Sequence, residues 1–140
     1  MSEETIFTKI VAGEIPSYAV YEDETTYAFL DANPLAPGHT LVIPKEPYER
    51  LTDMPADLVG DVFATASEIT GAVEDAVGAS ATTLAINNGE DAGQEVPHVH
   101  LHIIPQFEDD TAKPIHSLFG GADLADEEME SIAEQIRTNQ

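Results

Sequence analysis

The spacing of hydrophobic positions changes along the chain and predicts a mixture of strands and helices. Residues 18–21, 26–31 and 39–44 are short apolar segments bounded by Asp-Glu and Pro-Gly turn signals, which predicts an antiparallel meander. From residue 54 to about residue 77, apolar residues recur at steps of three and four, which is typical of a long amphipathic helix. Gly78 suits the end of that helix, and shorter helices are predicted over residues 5–12 and 124–136.

A different pattern runs from His98 to His102, where every second residue is histidine and the intervening residues are apolar. Because side chains of a strand alternate between its two faces, Val99, Leu101 and Ile103 are expected in the core and the three imidazoles on the other face. This strand is predicted to pair antiparallel with a strand over residues 82–87. Together the elements predict one α+β domain over residues 1–140, an antiparallel sheet of about five strands with one long and two shorter helices on one face. The histidine strand is expected at a sheet edge.

The histidine row can serve a metal site, a structural cluster, or a site that acts on an anionic substrate. A strand rises about 3.3 Å per residue, so successive histidine Cα atoms stand roughly 6.6 Å apart and one metal cannot easily bind all three. Zinc would need a further ligand, such as His39, His116 or a carboxylate. Imidazoles are costly to bury and change charge near neutral pH, which favours catalysis over packing.

The polar connection before the histidines, residues 87–97, contains two glycines. Glycines let backbone N–H groups approach a ligand closely, and successive N–H groups form an anion nest. An ordinary hairpin loop stays an open alternative, because Asn and Gly are common turn formers. Beside three histidines the loop favours phosphate, because imidazole can attack phosphorus and N–H donors can stabilise charged oxygens.

In these motifs the sequence resembles the histidine-triad (HIT) family of nucleotide hydrolases and transferases, whose signature is His-φ-His-φ-His-φ-φ with φ apolar. The signature is matched without a gap by His98-Val99-His100-Leu101-His102-Ile103-Ile104. Residues 6–16 resemble the family's opening helix and turn, and residues 27–45 resemble its central hairpin. The resemblance implies a homodimer, in which the long helix and an edge strand of each subunit meet to make one continuous sheet.

The resemblance also implies roles for individual residues. His100 matches the nucleophile that takes a nucleoside monophosphate, and His98 and His102 match residues that flank the phosphate and handle protons, with a neighbouring imidazolium protonating the leaving group. The implied substrate is a purine nucleotide such as an AMP conjugate, and no cofactor or metal is required. The other nucleotide-binding positions fall on Phe7, Ile10 and Phe29 (base), Asp31 and Ala32 (ribose), His39 (behind the triad), Asn87 (scissile phosphate), and Gly93, Gln94 and Glu95 (phosphate loop).

Several of these residues have plainer interpretations or depart from the family pattern. Asp31 precedes a turn, where aspartate is a common cap, and Phe7 and Phe29 suit an ordinary core. Glu95 stands where the phosphoramidate-cleaving branch usually carries serine, and its carboxylate would repel phosphate unless it points away or pairs with a histidine. Gln106 stands where many microbial relatives carry arginine, so that contact to a polyphosphate is missing.

The chain has 27 acidic and 5 basic residues, a formal net charge of −22, and no cysteine. Dispersed acidic residues favour a protein from a high-salt cytoplasm, where a Debye length of about 3 Å at 1 M screens self-repulsion. The charge opposes nucleic-acid binding, and the lack of cysteine excludes disulfides and thiol chemistry. No apolar run approaches the roughly 18 residues of a membrane span. Without an apolar leader, the expected location is the cytoplasm.

These observations predict an enzyme that hydrolyses nucleoside 5′-monophosphates joined to an amine, through a nucleotidyl-histidine on His100. Hydrolysis of dinucleoside polyphosphates is the alternative within the enzyme class. Outside that class, the alternative is a nucleotide-binding or metal-binding module without turnover. A metal-binding module would keep a stoichiometric divalent ion after dialysis, whereas the enzyme would tolerate a chelator.

Overall fold

The computed structural model describes residues 4–140, which divide into two units at residue 110. The acidic start, residues 1–3, lies outside the described residues. The first unit contains helices α1 (Ile6–Val11) and α2 (Ala56–Val77) and strands β1 (Ala19–Glu22), β2 (Thr26–Leu30), β3 (Thr40–Pro44), β4 (Ala81–Ala85) and β5 (Leu101–Gln106). The second unit contains helix α3 (Asp126–Thr138). The predicted α+β class is confirmed, and the assignment of all residues to one domain stays a prediction.

The five strands found in residues 4–140 form one antiparallel sheet in the order β1-β2-β3-β5-β4. The edges are therefore β1 and β4, and the prediction that the histidine strand is an edge is wrong. The physical reason is that β3 is buried along its whole length, so its backbone groups need partners on both sides. β2 pairs with one side of β3 and β5 with the other. β4 pairs with the remaining side of β5, so β5 has a neighbouring strand on each side.

The two faces of the sheet carry separate cores, because alternate residues of β2 and β3 point to opposite sides. On one face Ala28 and Val42 pack with α2. On the other face α1 covers a second cluster, formed by Phe7, Ile10, Tyr27, Phe29, Leu41 and Ile43. The prediction of helices on one face is therefore wrong for α1, whose two buried residues lie one turn apart and face this second core.

The ladder of β5 begins only at Leu101, so the prediction of a strand over all three histidines is wrong for the first two. The residue between those two histidines, Val99, instead donates its N–H to the carbonyl oxygen of Tyr48 at 2.7 Å. The predicted alternation of side chains is confirmed, since Val99, Leu101 and Ile103 are all buried in the core against α2.

Thr5 and Gly78 mark helix ends. Thr5 is the N-cap of α1, where its hydroxyl accepts the N–H groups of Phe7 and Thr8. Gly78 ends α2 as predicted, with a φ of 71° that L residues rarely adopt. Among the described residues, no helix combines the length and apolar character needed to cross a membrane.

Candidate active site

His100 is held so that one ring nitrogen stays available. Its Nδ1 lies 2.7 Å from the carbonyl oxygen of His98. Because a carbonyl can only accept, Nδ1 carries the proton and donates it. A neutral imidazole protonated at Nδ1 has its lone pair on Nε2, and the side chain is only partly buried. His100 therefore has the form that a nucleophilic imidazole needs.

His98 is fully buried, with 0% of its surface exposed. Its Nε2 donates to the carbonyl oxygen of Pro44 at 2.7 Å, and its Nδ1 accepts from the Thr5 hydroxyl at 2.7 Å. Burial lowers the pKa of His98 to about 4, with the charge of His100 acting in the same direction and the Pro44 carbonyl opposing. Both ring nitrogens are therefore used inside the protein. The proton-handling role implied for His98 stays a prediction that would require one of these bonds to break.

A chain of hydrogen bonds sets the tautomer of His102. The backbone N–H of Leu35 donates to His39 Nδ1 at 3.0 Å, so the proton of a neutral His39 is on Nε2. His39 Nε2 lies 2.9 Å from His102 Nδ1 and donates to it. This places the proton of His102 on Nε2, where it can donate to a phosphate oxygen.

Burial keeps the imidazoles of His39 and His102 neutral near pH 7. It lowers the pKa of His102 to about 4, with the charges of His100 and His39 acting in the same direction and Asp31 opposing. It also lowers the pKa of His39, again against Asp31. Without a bound substrate His98 and His102 are therefore neutral near pH 7, and the imidazolium that the resemblance implies for protonation of the leaving group stays a prediction. An anionic substrate raises such a pKa, because an opposite charge favours the protonated form.

Asp31 lies directly after β2, beside His39. Its Oδ1 accepts the N–H of Asn33 at 2.8 Å, which is the turn-capping bond of the plainer interpretation. Its Oδ2 lies 3.6 Å from His39 Nε2. Because a carboxylate offers about four acceptor positions, acceptors remain for ribose hydroxyls. Ala32 is exposed in the same turn, and both ribose assignments stay predictions.

Asp31, His39 and His102 also form the one group of three metal-type ligands found within residues 4–140, with ligand atoms within 4.8 Å of one another. An ion bound to His39 Nε2 would require the ring proton on Nδ1. The Leu35 N–H already points at Nδ1, so two donors would face each other. The donor pattern therefore favours the hydrogen-bonded chain over a metal centre.

An apolar wall stands beside the triad. The ring centroid of Phe7 lies 5.1 Å from that of His100 and 5.5 Å from those of His98 and Phe29. Ile10 belongs to the same buried cluster. All three residues are buried, as the plainer interpretation expects of Phe7 and Phe29, and Phe7 also packs against His100 in a T-shaped arrangement. A base pocket formed by them stays a prediction.

The loop between β4 and β5 is shaped by Gln94, whose side chain is buried. Its Oε1 accepts the N–H of Gly89 at 2.7 Å. Its Nε2 donates to the carbonyl oxygens of Glu49 at 2.7 Å and Val96 at 2.9 Å. Because the amide is used in these three bonds, it closes the loop rather than reaching outward.

Asn87 and Glu95 are exposed on this loop. Gly93 has a φ of 96°, and a Cβ added there would lie 3.7 Å from the amide nitrogen of Asn87. The glycine therefore permits a loop conformation that other residues rarely adopt, whereas a Cβ would make only an ordinary contact with Asn87. Phosphate contacts from these three residues stay predictions.

Thr5 and Leu35 form hydrogen bonds to histidines of the site, Asn88 anchors the loop between β4 and β5, and none of the three was predicted from the sequence as a functional residue. Asn88 Oδ1 accepts the N–H of Leu51 at 2.8 Å, although from the sequence it resembles a simple turn former. Leu35 acts through its backbone and leaves no side-chain signal. Thr5 precedes an apolar helical segment, which is a recognisable N-cap signal, but no pattern links it to a histidine 93 positions away.

Comparison with known proteins shows a consistent set of relatives. The HIT domain model matches residues 12–109. An uncharacterized HIT-like protein of Methanocaldococcus jannaschii is 50% identical over 105 residues, covering 75% of this chain and 81% of that protein. Adenylylsulfatase HINT3 of Arabidopsis thaliana is 35% identical over 137 residues, covering 98% and 70%. The asymmetrical bis(5′-nucleosyl)-tetraphosphatase of Schizosaccharomyces pombe is 38% identical over 106 residues, covering 76% and 57%.

Solved structures share the fold. A HIT family protein from Bacillus subtilis aligns with a TM-score of 0.84 at 37% identity, covering 99% of this chain and 98% of that chain. A zinc-bound histidine triad family protein from Mycobacterium smegmatis aligns with a TM-score of 0.73 at 32% identity, covering 96% of each chain. The likeness therefore extends over nearly the whole chain.

Proposed function

This chain belongs to the HIT domain family, and from that membership we propose that it hydrolyses purine nucleoside 5′-monophosphates joined to an amine, in the cytoplasm. The family includes hydrolases, since two relatives are named as an adenylylsulfatase and a bis(5′-nucleosyl)-tetraphosphatase. The observation that carries the proposal is the hydrogen bond from His100 Nδ1 to the carbonyl oxygen of His98, 2.7 Å between the two atoms. This bond leaves His100 Nε2 with a lone pair.

In the first step, His100 Nε2 forms a bond to the α-phosphorus, and the bond from phosphorus to the leaving nitrogen breaks. The His98 carbonyl stays bonded to Nδ1–H and stabilises the positive charge that the ring acquires. The bound phosphate raises the pKa of His102, which takes up a solvent proton at Nδ1 as its hydrogen bond from His39 Nε2 breaks. His102 then passes the proton on its Nε2 to the leaving amine.

In the second step, water attacks the phosphorus of the nucleotidyl-histidine. The bond from phosphorus to His100 Nε2 breaks, and its electron pair returns to the ring. His102, now neutral with its lone pair on Nε2, accepts the proton of the attacking water there and returns its Nδ1 proton to solvent, and the nucleoside monophosphate leaves. Since the ring in the intermediate is protonated at Nδ1, it is a good leaving group, and each step is easier than direct attack by water.

Dinucleoside polyphosphates are the second candidate, because the Schizosaccharomyces pombe relative is named as a tetraphosphatase. The formal net charge of −22 favours the amine conjugate, since a polyphosphate leaving group meets more repulsion than an amine. In this proposal the base lies against Phe7, Ile10 and Phe29, and Asp31 accepts the ribose hydroxyls.

Turnover of adenosine 5′-phosphoramidate in excess chelator tests the proposal. We expect kcat in excess chelator to stay within about twofold of its value without chelator. The hydrogen bonds from Leu35 to His39 and from His39 to His102 occupy the ring nitrogens that would otherwise bind a metal ion. Diadenosine tetraphosphate is assayed in parallel, and both rates are expected to rise from low to molar salt as the repulsive field is screened. If neither substrate is turned over at any salt concentration and a divalent ion stays bound after dialysis, the protein is a metal-binding module and the proposed activity is wrong.

We also infer that the enzyme is a homodimer that pairs through β4 and α2. β4 is an edge strand, and such an edge offers backbone groups to a second copy. Beside it lies an open groove of about 350 Å³, lined by Phe63, Ala66, Ser67, Thr70, Leu84 and Leu101. Phe63 and Leu84 are 46% and 49% exposed, and both would be covered by a partner.

Phe63→Glu is expected to convert the dimer to a monomer, because it places a charge in the apolar contact. Light scattering after size-exclusion chromatography measures the mass. The matched control is Val20→Glu, because Val20 lies on the opposite edge strand β1 and is 48% exposed. A monomeric wild type, or loss of the dimer in the Val20 variant alone, would refute this interface.

A further inference from the structure

The hydroxyl of Thr5 has one direction in which it can donate. The N–H groups of Phe7 and Thr8 both donate to Thr5 Oγ1 at 3.2 Å, and His98 Nδ1 lies 2.7 Å from the same oxygen. Since both amides are donors, the hydroxyl proton is left for His98. The bond from His98 Nε2 to the Pro44 carbonyl independently requires Nδ1 to be an acceptor. Both ends of the His98 ring therefore give the same assignment, in which Thr5 donates to His98.

The side chain of His98 anchors its own backbone, which lies before the first residue of β5 and outside the hydrogen-bonded ladder of the sheet. The ladder of β5 begins at Leu101, and the N–H of His98 makes only a local turn bond, to the carbonyl of Val96 at 2.8 Å. The ring is fixed at both nitrogens, to the start of α1 and to the end of β3. The carbonyl of the same residue accepts His100 Nδ1–H. The ring bonds of His98, together with the bond from the Val99 N–H of the same peptide unit to the Tyr48 carbonyl at 2.7 Å, thus set the position of the carbonyl that orients His100.

Resting on the proposed function, we propose that Thr5 is a positioning residue for the nucleotidyl transfer. Its hydroxyl anchors His98, and the His98 carbonyl keeps His100 protonated at Nδ1 with Nε2 free. Phe7, in the same turn of α1, packs T-shaped against His100, with 5.1 Å between the two ring centroids. The first turn of α1 therefore positions His100 in two ways. Thr5 acts through the hydrogen bonds to the His98 ring and between the His98 carbonyl and His100, and Phe7 acts by packing against the His100 ring.

Three variants separate this role from helix capping. Thr5→Val keeps the shape and removes the O–H, and Thr5→Ser restores it. Thr8→Val is the matched control, because Thr8 Oγ1 donates to the Thr5 carbonyl and accepts the Thr5 N–H without contacting His98. We expect Thr5→Val to lower kcat by about tenfold to a hundredfold with KM changed by less than about threefold. Thr5→Ser and Thr8→Val are expected to keep kcat near the wild-type value.

Two kinetic results would overturn the proposal. One is a kcat for Thr5→Val within about twofold of wild type. The other is an equal loss in Thr8→Val, because that result would assign the effect to the helix cap.

Nitrogen-15 NMR of the histidine rings without substrate tests the same point independently of turnover. In the wild type His98 is expected to be protonated at Nε2 and His100 at Nδ1, whereas in Thr5→Val the His98 Nδ1 signal shifts and the Nδ1–H form of His100 is less populated. An unchanged His100 ring in Thr5→Val would sink the proposal. If the wild type cleaves no nucleotide, the proposed function fails, and this spectrum still decides whether Thr5 positions His100.

Discussion

Replacing His100 by alanine is expected to lower turnover by roughly a thousandfold or more, while nucleoside monophosphate still binds. The reason is that His100 Nε2 is the triad nitrogen left with a lone pair. Both nitrogens of His98 are hydrogen-bonded, and the lone pair of His102 accepts from His39. The measurement combines kcat with trapping of enzyme-bound label from a substrate labelled at the α-phosphorus, and the variant is expected to trap none.

His116→Ala is the matched control, because it removes an imidazole that is exposed in the second unit. It is expected to keep wild-type turnover and labelling, and thermal unfolding of both variants checks that they fold. If His100→Ala keeps about a tenth or more of the activity, or still traps label, another residue is the nucleophile.

The elements of the fold could be predicted where one local pattern determines them. The stripe of α2 buries Val62 and Ala66 against the sheet, and Gly78 ends that helix because its left-handed φ costs glycine little. The alternation around Val99 predicted which residues enter the core. These features depend on neighbours along the chain, and a sequence shows such neighbours directly.

The order of the strands could not be read in the same way, although one signal was present. Residues 41–43 are continuously apolar, a pattern typical of a strand covered on both faces. Such a strand lies inside a sheet and needs two partners, so β5 beside β3 was a possible inference. The place of α1 on the opposite face had no comparable signal, because Phe7 and Ile10 would be buried on either face.

The chemistry of the site was visible in the sequence, but its protonation was not. Three alternating histidines indicate imidazole chemistry, yet which nitrogen carries a proton depends on partners far away in the chain. The tautomer of His102 depends on the backbone of Leu35, and that of His98 depends on the carbonyl of Pro44. The neutral state of His98 and His102 near pH 7 could not be read from the sequence either, because it depends on burial, which is a property of the folded chain.

Lowering the pH is expected to destabilise the wild type relative to a His98→Gln variant by about 3 kcal/mol between pH 6.5 and pH 4. Burial lowers the folded-state pKa of His98 from 6.5 to about 4. In this window the unfolded chain binds a proton at residue 98 that the folded chain does not bind. The free energy of unfolding therefore rises with pH. The contribution of neutral His98 is complete above pH 6.5 and is lost as the pH falls to about 4.

Denaturant unfolding of both proteins in molar salt, from pH 7 to pH 4, measures the difference. The difference between the two free energies of unfolding cancels the effects of the acidic residues and of the buried His39 and His102, which both proteins share. Asp23, with a pKa of about 2, also titrates below this pH window. A constant difference between the two proteins would show that His98 is not held neutral by burial. In the proposed role of Thr5, protonation of His98 at Nδ1 breaks the hydrogen bond from the Thr5 hydroxyl and loosens the carbonyl that holds His100. We therefore expect kcat of the wild type to fall as the pH approaches about 4, where folded His98 takes up its proton.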